Sequence, residues 1–169
     1  FTTPQPKQIG FENALAIDYL RHDHPTLVME DESRSIGHVA LPLEWYEAMR
    51  DAPTMVVECE MAERCRRIEE EYVFEPLRGD FDPQALQARL AGAVTRIQKR
   101  LGRERHAEVL KLMGTSFKQG DHAPWIERLL SWYYDPAYDR HLQSKKAQVV
   151  WRGSVEEAPA VAAALSQAM

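Results

Sequence analysis

Residues 27–37 read LVMEDESRSIG, three apolar residues followed at once by three carboxylates, a hydroxyl and an arginine. A short apolar run bounded by polar residues predicts a β-strand, here residues 27–31, that is buried on both faces. Its acidic carboxyl end would then lie where open parallel sheets hold their ligands. The alternative interpretation is a solvated acidic turn, although three adjacent like charges repel one another unless a cation, an arginine or water offsets them.

The segments that follow extend this strand into an α/β fold. Pro42 precedes a short amphipathic helix, and residues 55–59 and 148–152 have the composition of two further strands. Strand, helix and strand in this order predict a βαβ unit with parallel strands and a right-handed crossover. We therefore expect a parallel sheet with strands near residues 27–31, 55–59 and 148–152.

The composition is that of a globular protein. The chain has 169 residues, of which 44% are apolar and 28% charged. No apolar run approaches the roughly 20 residues that a membrane span requires, so we expect no membrane association. There is no basic and then apolar leader, which predicts a cytoplasmic protein. Because the first residue is Phe1 rather than methionine, we expect these residues to be part of a longer chain.

The two cysteines, Cys59 and Cys65, have the spacing of neither a zinc site nor a redox dithiol. Cys65 has arginine neighbours at positions 64, 66 and 67, and such cations would lower the pKa of its thiol and make it reactive. The preferred interpretation is two reduced thiols that pack as small apolar side chains.

A break at Pro76, Gly79 and Pro83 predicts an inserted helical region over residues 76–139. Its first part has the pattern of a helical hairpin that ends near Gly120, with one apolar face and a neighbouring basic face. A single helix would place the basic residues within one narrow sector. These residues are Arg89, Arg96, Arg100 and Arg103.

The charge of this helical region is opposite in sign to that of the whole chain. Residues 84–119 contain eight basic residues and two acidic ones, a local charge of +6, whereas the whole chain carries −5. Such asymmetry predicts an anionic partner, and the alternative is a solvated helix flank. The aromatic residues of 125–138 adjoin this region; we expect most of them to pack in the core, with base stacking as a second interpretation.

Several short segments together resemble one known family. They are QPKQ at 5–8, FEN at 11–13, EDESRSIG at 30–37, and residues 64–72, 100–102, 133–138, 145–146 and 149–153. In this combination the chain resembles the C-terminal domain of the bacterial tRNA 2-selenouridine synthases, which join a rhodanese domain to a P-loop nucleotide-binding domain. The resemblance covers nearly the whole chain, and EDESRSIG is its most specific part.

The resemblance implies an incomplete P-loop-type parallel sheet with a helical insertion. The core would comprise residues 1–75 and 140–169, and the insertion residues 76–139. No GxxxxGK[ST] loop occurs in these residues, and in the family that loop precedes the point where this chain begins. Without the strand before that loop, we expect an exposed apolar sheet edge. The family's catalytic cysteine would lie in the rhodanese domain, so neither Cys59 nor Cys65 corresponds to it.

The activity implied by the resemblance is that of a selenotransferase. Such an enzyme replaces sulfur by selenium in the wobble 2-thiouridine of tRNA, with selenophosphate as selenium donor, an S-geranylated intermediate and geranyl diphosphate as prenyl donor. The partners would be tRNA and the rhodanese domain of the full-length chain. We expect these residues alone to be inactive, and the sequence does not identify a nucleotide.

The resemblance also implies two sets of binding residues. For phosphate or nucleotide, Asp31 with Glu30 would occupy a Walker B-like place and orient Mg²⁺ at Asp31, and Arg34 would pair with phosphate oxygens. Arg64 and Arg67 would reach over the phosphates. For tRNA, the resemblance implies that Lys145, Lys146 and Arg152 contact the tRNA backbone or a diphosphate. The pattern of basic residues adds Arg89, Arg96, Arg100 and Arg103 to this set.

Two other functions stay open from the sequence. One is a non-catalytic α/β module that binds tRNA through its basic helices. The other is a fragment of a P-loop small-molecule kinase, which the missing lysine-containing loop disfavours.

Overall fold

A computed structural model describes residues 4–24, 26–31, 33–144 and 149–168. The fold is α/β, as the sequence predicted, and mostly helical, while the P-loop type of the sheet stays a prediction. The α-helices are α1 Gln8–Arg21, α2 Leu43–Asp51, α3 Met61–Glu69, α4 Glu75–Arg78, α5 Pro83–Arg96, α6 Gln98–Leu101, α7 Arg103–Gln119, α8 Ala123–Leu129, α9 Asp135–Ser144 and α10 Ala158–Ala168. The strands are β1 Ser35–Ile36, β2 Val39–Ala40, β3 Thr54–Glu58 and β4 Val149–Ser154. Two π-helical turns, Glu70–Phe74 and Leu130–Tyr134, follow α3 and α8 without a break.

The chain divides into two compact units. Unit 1 comprises the described residues of 1–58 and 145–169, and unit 2 comprises residues 59–144. The domain boundaries predicted for the helical insertion, residues 76 and 139, stay a prediction. None of the helices in the described part combines the length and apolar character that a bilayer crossing requires.

Unit 1 contains a small parallel sheet. β3 and β4 pair in parallel, with Val56 opposite Arg152. The strands predicted at 55–59 and 148–152 are thereby confirmed to within two residues at each end, although Gln148 lies outside the described residues. The long separation of the two strands in sequence is the rule for parallel pairs, which need a crossover connection.

The strand predicted at residues 27–31 was wrong. Residues 26–31 have no regular secondary structure, and the side chains of Leu27, Val28 and Met29 are 41%, 66% and 37% exposed. A strand requires a neighbour that bonds its backbone N–H and C=O groups. The two sheets of the described chain pair β1 with β2 and β3 with β4, and neither includes these residues. The predicted βαβ unit is therefore not formed, although its helix and second strand are.

A short hairpin follows the acidic segment instead. β1 and β2 pair antiparallel around a turn in which Gly37 has φ +65°, a conformation that favours glycine. The side chain of Gln8 on α1 donates to the Ala40 carbonyl at 2.7 Å and accepts from the Ala40 N–H at 2.8 Å. The Gln5 side chain accepts from the His38 N–H at 3.1 Å. These two glutamines hold residues 5–8 on the hairpin.

Unit 2 is a helical unit around one apolar core. The N-terminus of α5 is capped, because the side chain of Asp82 accepts a hydrogen bond from the Ala85 N–H at 2.7 Å. Pro83 occupies the first turn of the helix. Leu86, Leu90 and Val94 then lie on one buried face of α5. The most deeply buried side chains of the unit are Val73, Leu86, Val109, Met113 and Ile126. The predicted helical hairpin is confirmed as α5 and α7.

The single helix predicted for the basic residues was wrong. α5 ends at Arg96, α6 is a separate short helix, and Gly102 with φ +90° begins α7. Because a helix cannot pass through that backbone conformation, the periodicity does not continue across Gly102. Arg89 and Arg96 therefore lie on α5, Arg100 on α6, and Arg103 is the first residue of α7.

His122 is the most enclosed titratable group of this core. Its ring makes edge contacts with Phe74, Phe117 and Trp125, and its Nδ1 accepts a hydrogen bond from the indole Nε1 of Trp125 at 3.2 Å. Burial lowers the pKa of His122, and the carboxylates of Glu69 and Asp121 oppose that shift only in part. The imidazole is thus held neutral.

We predict that unit 2 loses stability on acidification because of His122. Its pKa is lower in the folded state than its ordinary value of about 6.5, so the unfolded state binds the proton more readily. The contribution is fully present above about pH 6.5 and is lost as the pH falls toward the folded pKa. Thermal unfolding between neutral pH and pH 5 should show this fall, and His122→Asn should flatten it. His24→Asn, at an exposed position, is the control, and an unchanged pH profile in His122→Asn would refute the assignment.

Candidate functional site

The acidic residues predicted to hold Mg²⁺ lie in the irregular segment of unit 1. Glu30 is exposed and Asp31 is half-buried, while Glu32 lies outside the described residues. No group of three His, Cys, Asp or Glu side chains in the described chain is placed to hold a metal ion. Mg²⁺ is commonly held by one or two carboxylates together with water and phosphate oxygens, and Asp31 fits only that mode. The magnesium site stays a prediction.

Arg34 lies at the base of the β1–β2 hairpin, on the exposed surface. Its carbonyl accepts from the Leu41 N–H at 2.8 Å, and its Nε donates to the Leu41 carbonyl at 3.4 Å. The Gln5 side chain also donates from Nε2 to the Ile36 carbonyl, which brings QPKQ at 5–8 against the end of EDESRSIG at 30–37. Two of the segments that carry the family resemblance therefore contact each other. Sequence analysis missed this role of the glutamines, because hydrogen bonds between distant residues leave no periodic signal.

Arg64 and Arg67, the other two phosphate candidates, belong to unit 2 and both have carboxylate partners. The guanidinium of Arg64 binds both carboxylate oxygens of Asp135, with Nη1 at 3.1 Å from Oδ2, and this pairing raises the pKa of Arg64. It joins α3 to α9 in the fork geometry that arginine favours. Arg67 donates from Nε to Glu63 at 2.7 Å. Both arginines thus have structural contacts that the sequence did not reveal.

The basic residues predicted for tRNA divide between the units. Arg89, Arg96, Arg100 and Arg103 all have exposed side chains in unit 2, and we call this set the basic surface. Arg152 lies on β4 of unit 1, with Nη1 3.7 Å from Oε1 of Glu58. Lys145 and Lys146 lie outside the described residues.

Two arginines of the basic surface contact aromatic rings. The guanidinium of Arg89 lies 6.0 Å from the ring centroid of Phe81, and Nη1 of Arg100 donates to the hydroxyl of Tyr133 at 3.3 Å. Such contacts hold a long side chain in place while its charge stays solvated. Two of the four arginines of the basic surface therefore have an aromatic partner.

Sequence reasoning missed a further cluster around Trp132. The guanidinium carbons of Arg105 and Arg128 lie 5.3 Å and 5.2 Å from the centroid of the Trp132 ring. Arg128 also pairs with Glu108, at 3.4 Å between Nε and Oε1. Arg105 was counted in the local charge but lies outside the arginine periodicity, and Trp132 was assigned to the core. The two arginines come from two different helices, α7 and α8, so spacing along one helix could not show them.

Cys65 is buried in the core of unit 2, and its burial, together with the charge of Glu127, raises the pKa of its thiol despite the nearby Arg64. A thiol that is buried and protonated is a poor nucleophile. This confirms the interpretation that Cys65 packs as a small apolar side chain. Cys59 is half-buried, and both residues are unpaired thiols.

Over nearly its whole length, the chain is similar in sequence to one protein family and to curated relatives that share one name. The family described as the tRNA 2-selenouridine synthase AAA domain matches residues 1–168. A curated tRNA 2-selenouridine synthase of Pseudomonas aeruginosa (strain LESB58) is 39% identical over 173 residues, which cover 92% of this chain and 47% of the relative. Those of Shewanella sp. (strain MR-7) and Pseudomonas fluorescens are each 38% identical, over 89% of this chain and 46% of the relative.

The chain spans about half the length of the curated relatives it matches. No solved structure shows a significant match to it. The family resemblance read from QPKQ, EDESRSIG and the later segments is confirmed by a match that runs through unit 1 and unit 2 alike. The chain belongs to the family of tRNA 2-selenouridine synthase AAA domains.

Proposed function

We propose that this chain is part of a tRNA 2-selenouridine synthase and acts in the replacement of sulfur by selenium in wobble 2-thiouridine of tRNA. The observation that carries the proposal is the family match over residues 1–168, with relatives that bear this name. The proposed reaction uses selenophosphate as selenium donor and proceeds through an S-geranylated intermediate formed from geranyl diphosphate. Because the relatives are about twice as long, the whole reaction is assigned to a longer protein that contains these residues.

The contribution of these residues is to bind tRNA rather than to make or break the bonds to sulfur and selenium. The basic surface lies in a segment of charge +6, and its arginines are exposed where a phosphate backbone can reach them. The buried thiol of Cys65, with its raised pKa, is unsuited to attack a substrate. The reactive cysteine is proposed to belong to a rhodanese domain of the same protein.

The phosphate group of a diphosphate or nucleotide is proposed to bind at the acidic segment and the hairpin of unit 1. Asp31, with Glu30 beside it, would orient Mg²⁺, and Arg34 would pair with phosphate oxygens. Arg64 is a weaker candidate than the sequence suggested, because a phosphate would have to displace Asp135 from a bidentate pair. Arg67 would likewise exchange Glu63 for phosphate.

A purely RNA-binding role is the second candidate. It is favoured by the exposed basic surface and by the arginine and aromatic contacts around Trp132. The two candidates differ in the effect of small phosphate ligands. An RNA-binding module binds tRNA equally with and without nucleotide or diphosphate, whereas the synthase half changes its tRNA affinity when that site is filled.

We predict that Arg96→Glu, Arg100→Glu weakens tRNA binding and reduces its dependence on salt. Each phosphate contact releases condensed counterions, so each lost contact should lower the slope of log affinity against log salt by about 0.7 to 0.9. Fluorescence anisotropy with labelled tRNA at several salt concentrations measures both effects. The melting temperature should change little, because both side chains are exposed.

The matched control for that variant is Arg21→Glu, Arg50→Glu, which changes the net charge equally. Both control arginines are exposed and lie on α1 and α2 of unit 1. Equal weakening by the two double variants would mean that tRNA responds to net charge alone. Unchanged binding in Arg96→Glu, Arg100→Glu would reduce the basic surface to a solvated helix flank.

We predict that Asp31→Asn lowers the rate of tRNA selenation by the full protein and raises the Mg²⁺ concentration required for half-maximal rate. The amide keeps the shape of the side chain but removes the charge that attracts the cation. Asp18→Asn, at an exposed position of α1, should leave both quantities unchanged. A normal rate and a normal Mg²⁺ requirement in Asp31→Asn would remove Asp31 from the site.

A further inference from the structure

Three tyrosine rings lie exposed on unit 2, next to residues of the core. Tyr72 belongs to the first π-helical turn, Tyr134 ends the second, and Tyr138 lies on α9. Their exposed fractions are 40%, 43% and 60%. We call Tyr72, Tyr134 and Tyr138 the tyrosine surface. The neighbouring Trp132 and Tyr133 pack against the core, so the exposure is particular to these rings rather than general to the segment.

The phenol groups of the tyrosine surface are near enough to affect one another's pKa. The pKa of Tyr134 is raised mainly by burial of its hydroxyl, and also by the phenol groups of Tyr133, Tyr72 and Tyr138. The pKa of Tyr72 is raised by burial, by Glu71 and by Tyr138. The raised pKa values keep the phenols of Tyr72 and Tyr134 neutral at physiological pH, and the Glu71 carboxylate lies beside Tyr72.

The tyrosine surface is continuous with the basic surface. Arg100 donates to the hydroxyl of Tyr133 at 3.3 Å, and the rings of Tyr133 and Tyr134 are 5.0 Å apart at an angle of 82°. A chain of contacts thus joins Arg100 of the basic surface, through Tyr133, to Tyr134 of the tyrosine surface. A cation and several exposed rings therefore lie within the reach of one ligand.

This combination fits unpaired nucleotides. The charge of +6 over residues 84–119 favours an anionic partner, and exposed aromatic rings favour ligands with flat apolar faces. An RNA duplex offers phosphates but keeps its bases stacked inside, whereas the loops and ends of RNA offer both phosphates and free base faces. Proteins that bind single strands combine the same two elements, a basic groove and aromatic stacking platforms.

We infer that the tyrosine surface stacks unpaired bases of an RNA while Arg100 and its neighbours on the basic surface bind the adjoining phosphates. The inference rests on the proposed function, since it identifies which part of a tRNA unit 2 contacts. It assigns to Tyr134 and Tyr138 a binding role, in place of the core packing that the sequence favoured. It also predicts that unit 2 distinguishes a loop from a duplex.

The test measures binding of the chain to a short single-stranded oligouridylate and to an RNA duplex of equal length. Tyr134→Ala, Tyr138→Ala should weaken oligouridylate binding about tenfold for each base that loses its stacking partner, and should leave duplex binding unchanged. Tyr134→Phe, Tyr138→Phe keeps the ring faces and should bind as the parent does. Tyr19→Ala, an exposed tyrosine of unit 1, is the matched control and should have no effect.

The outcomes separate this inference from the proposed function. If the parent binds neither tRNA nor the two short RNAs, the proposed function fails. If Arg96→Glu, Arg100→Glu weakens tRNA binding but the alanine variant holds oligouridylate as tightly as the parent, the stacking inference alone is overturned. An equal loss in the phenylalanine variant would overturn it too, because the hydroxyls and not the rings would then be responsible.

The fold of the alanine variant is checked by its thermal unfolding. Tyr138→Ala alone serves as a second variant, since its side chain is the most exposed of the three and contributes least to the core. Weaker oligouridylate binding in this folded single variant supports the inference. If the alanine changes instead abolish self-association of the chain and leave RNA binding unchanged, the tyrosine surface is a protein interface and the inference is overturned.

Discussion

The burial of apolar side chains between the helices of unit 2 is the constraint on which its surface depends. Val73, Leu86, Val109, Met113 and Ile126 come from a π-helical turn and from α5, α7 and α8, and all are almost inaccessible to water. Each such side chain contributes about 1.5 to 3 kcal/mol when fully buried. Because the apolar faces of these helices turn inward, the arginines of α5, α6 and α7 are left outside. The basic surface is thus a consequence of the core.

Burial also separates the polar groups of unit 2 by role. Arg64 is half-buried against Asp135, Cys65 is enclosed by apolar neighbours, and His122 is held neutral among aromatic rings. All three have the chemistry of catalytic residues, yet each is occupied with holding helices together. Among the exposed groups of unit 2, the arginines and tyrosines are suited to recognition rather than to bond making.

Local patterns in the sequence correctly predicted the buried face of one helix and the positions of two strands. The spacing of Leu86 and Leu90 gave the buried face of α5, and β-branched runs gave β3 and β4. Two features could not be predicted from local patterns, because one depends on a distant pairing partner and the other on one backbone angle. Residues 27–31 were apolar enough for a strand but have no pairing neighbour in the described chain, and the left-handed angle of Gly102 interrupts the arginine periodicity. The family resemblance was found because EDESRSIG is specific, whereas the exposure of Tyr134 and Tyr138 required the packing of the helices to be known.

In the mechanism proposed here, unit 2 presents the surface that contacts tRNA. Photo-crosslinking of the chain to tRNA that contains 4-thiouridine, followed by mass spectrometry of the attached peptides, tests it most directly. We expect crosslinks in the peptides that contain residues 96–105 and 132–138, and we expect these crosslinks to disappear when unlabelled tRNA competes. Crosslinks confined to unit 1, in peptides that contain Arg50 or Arg152, would contradict it.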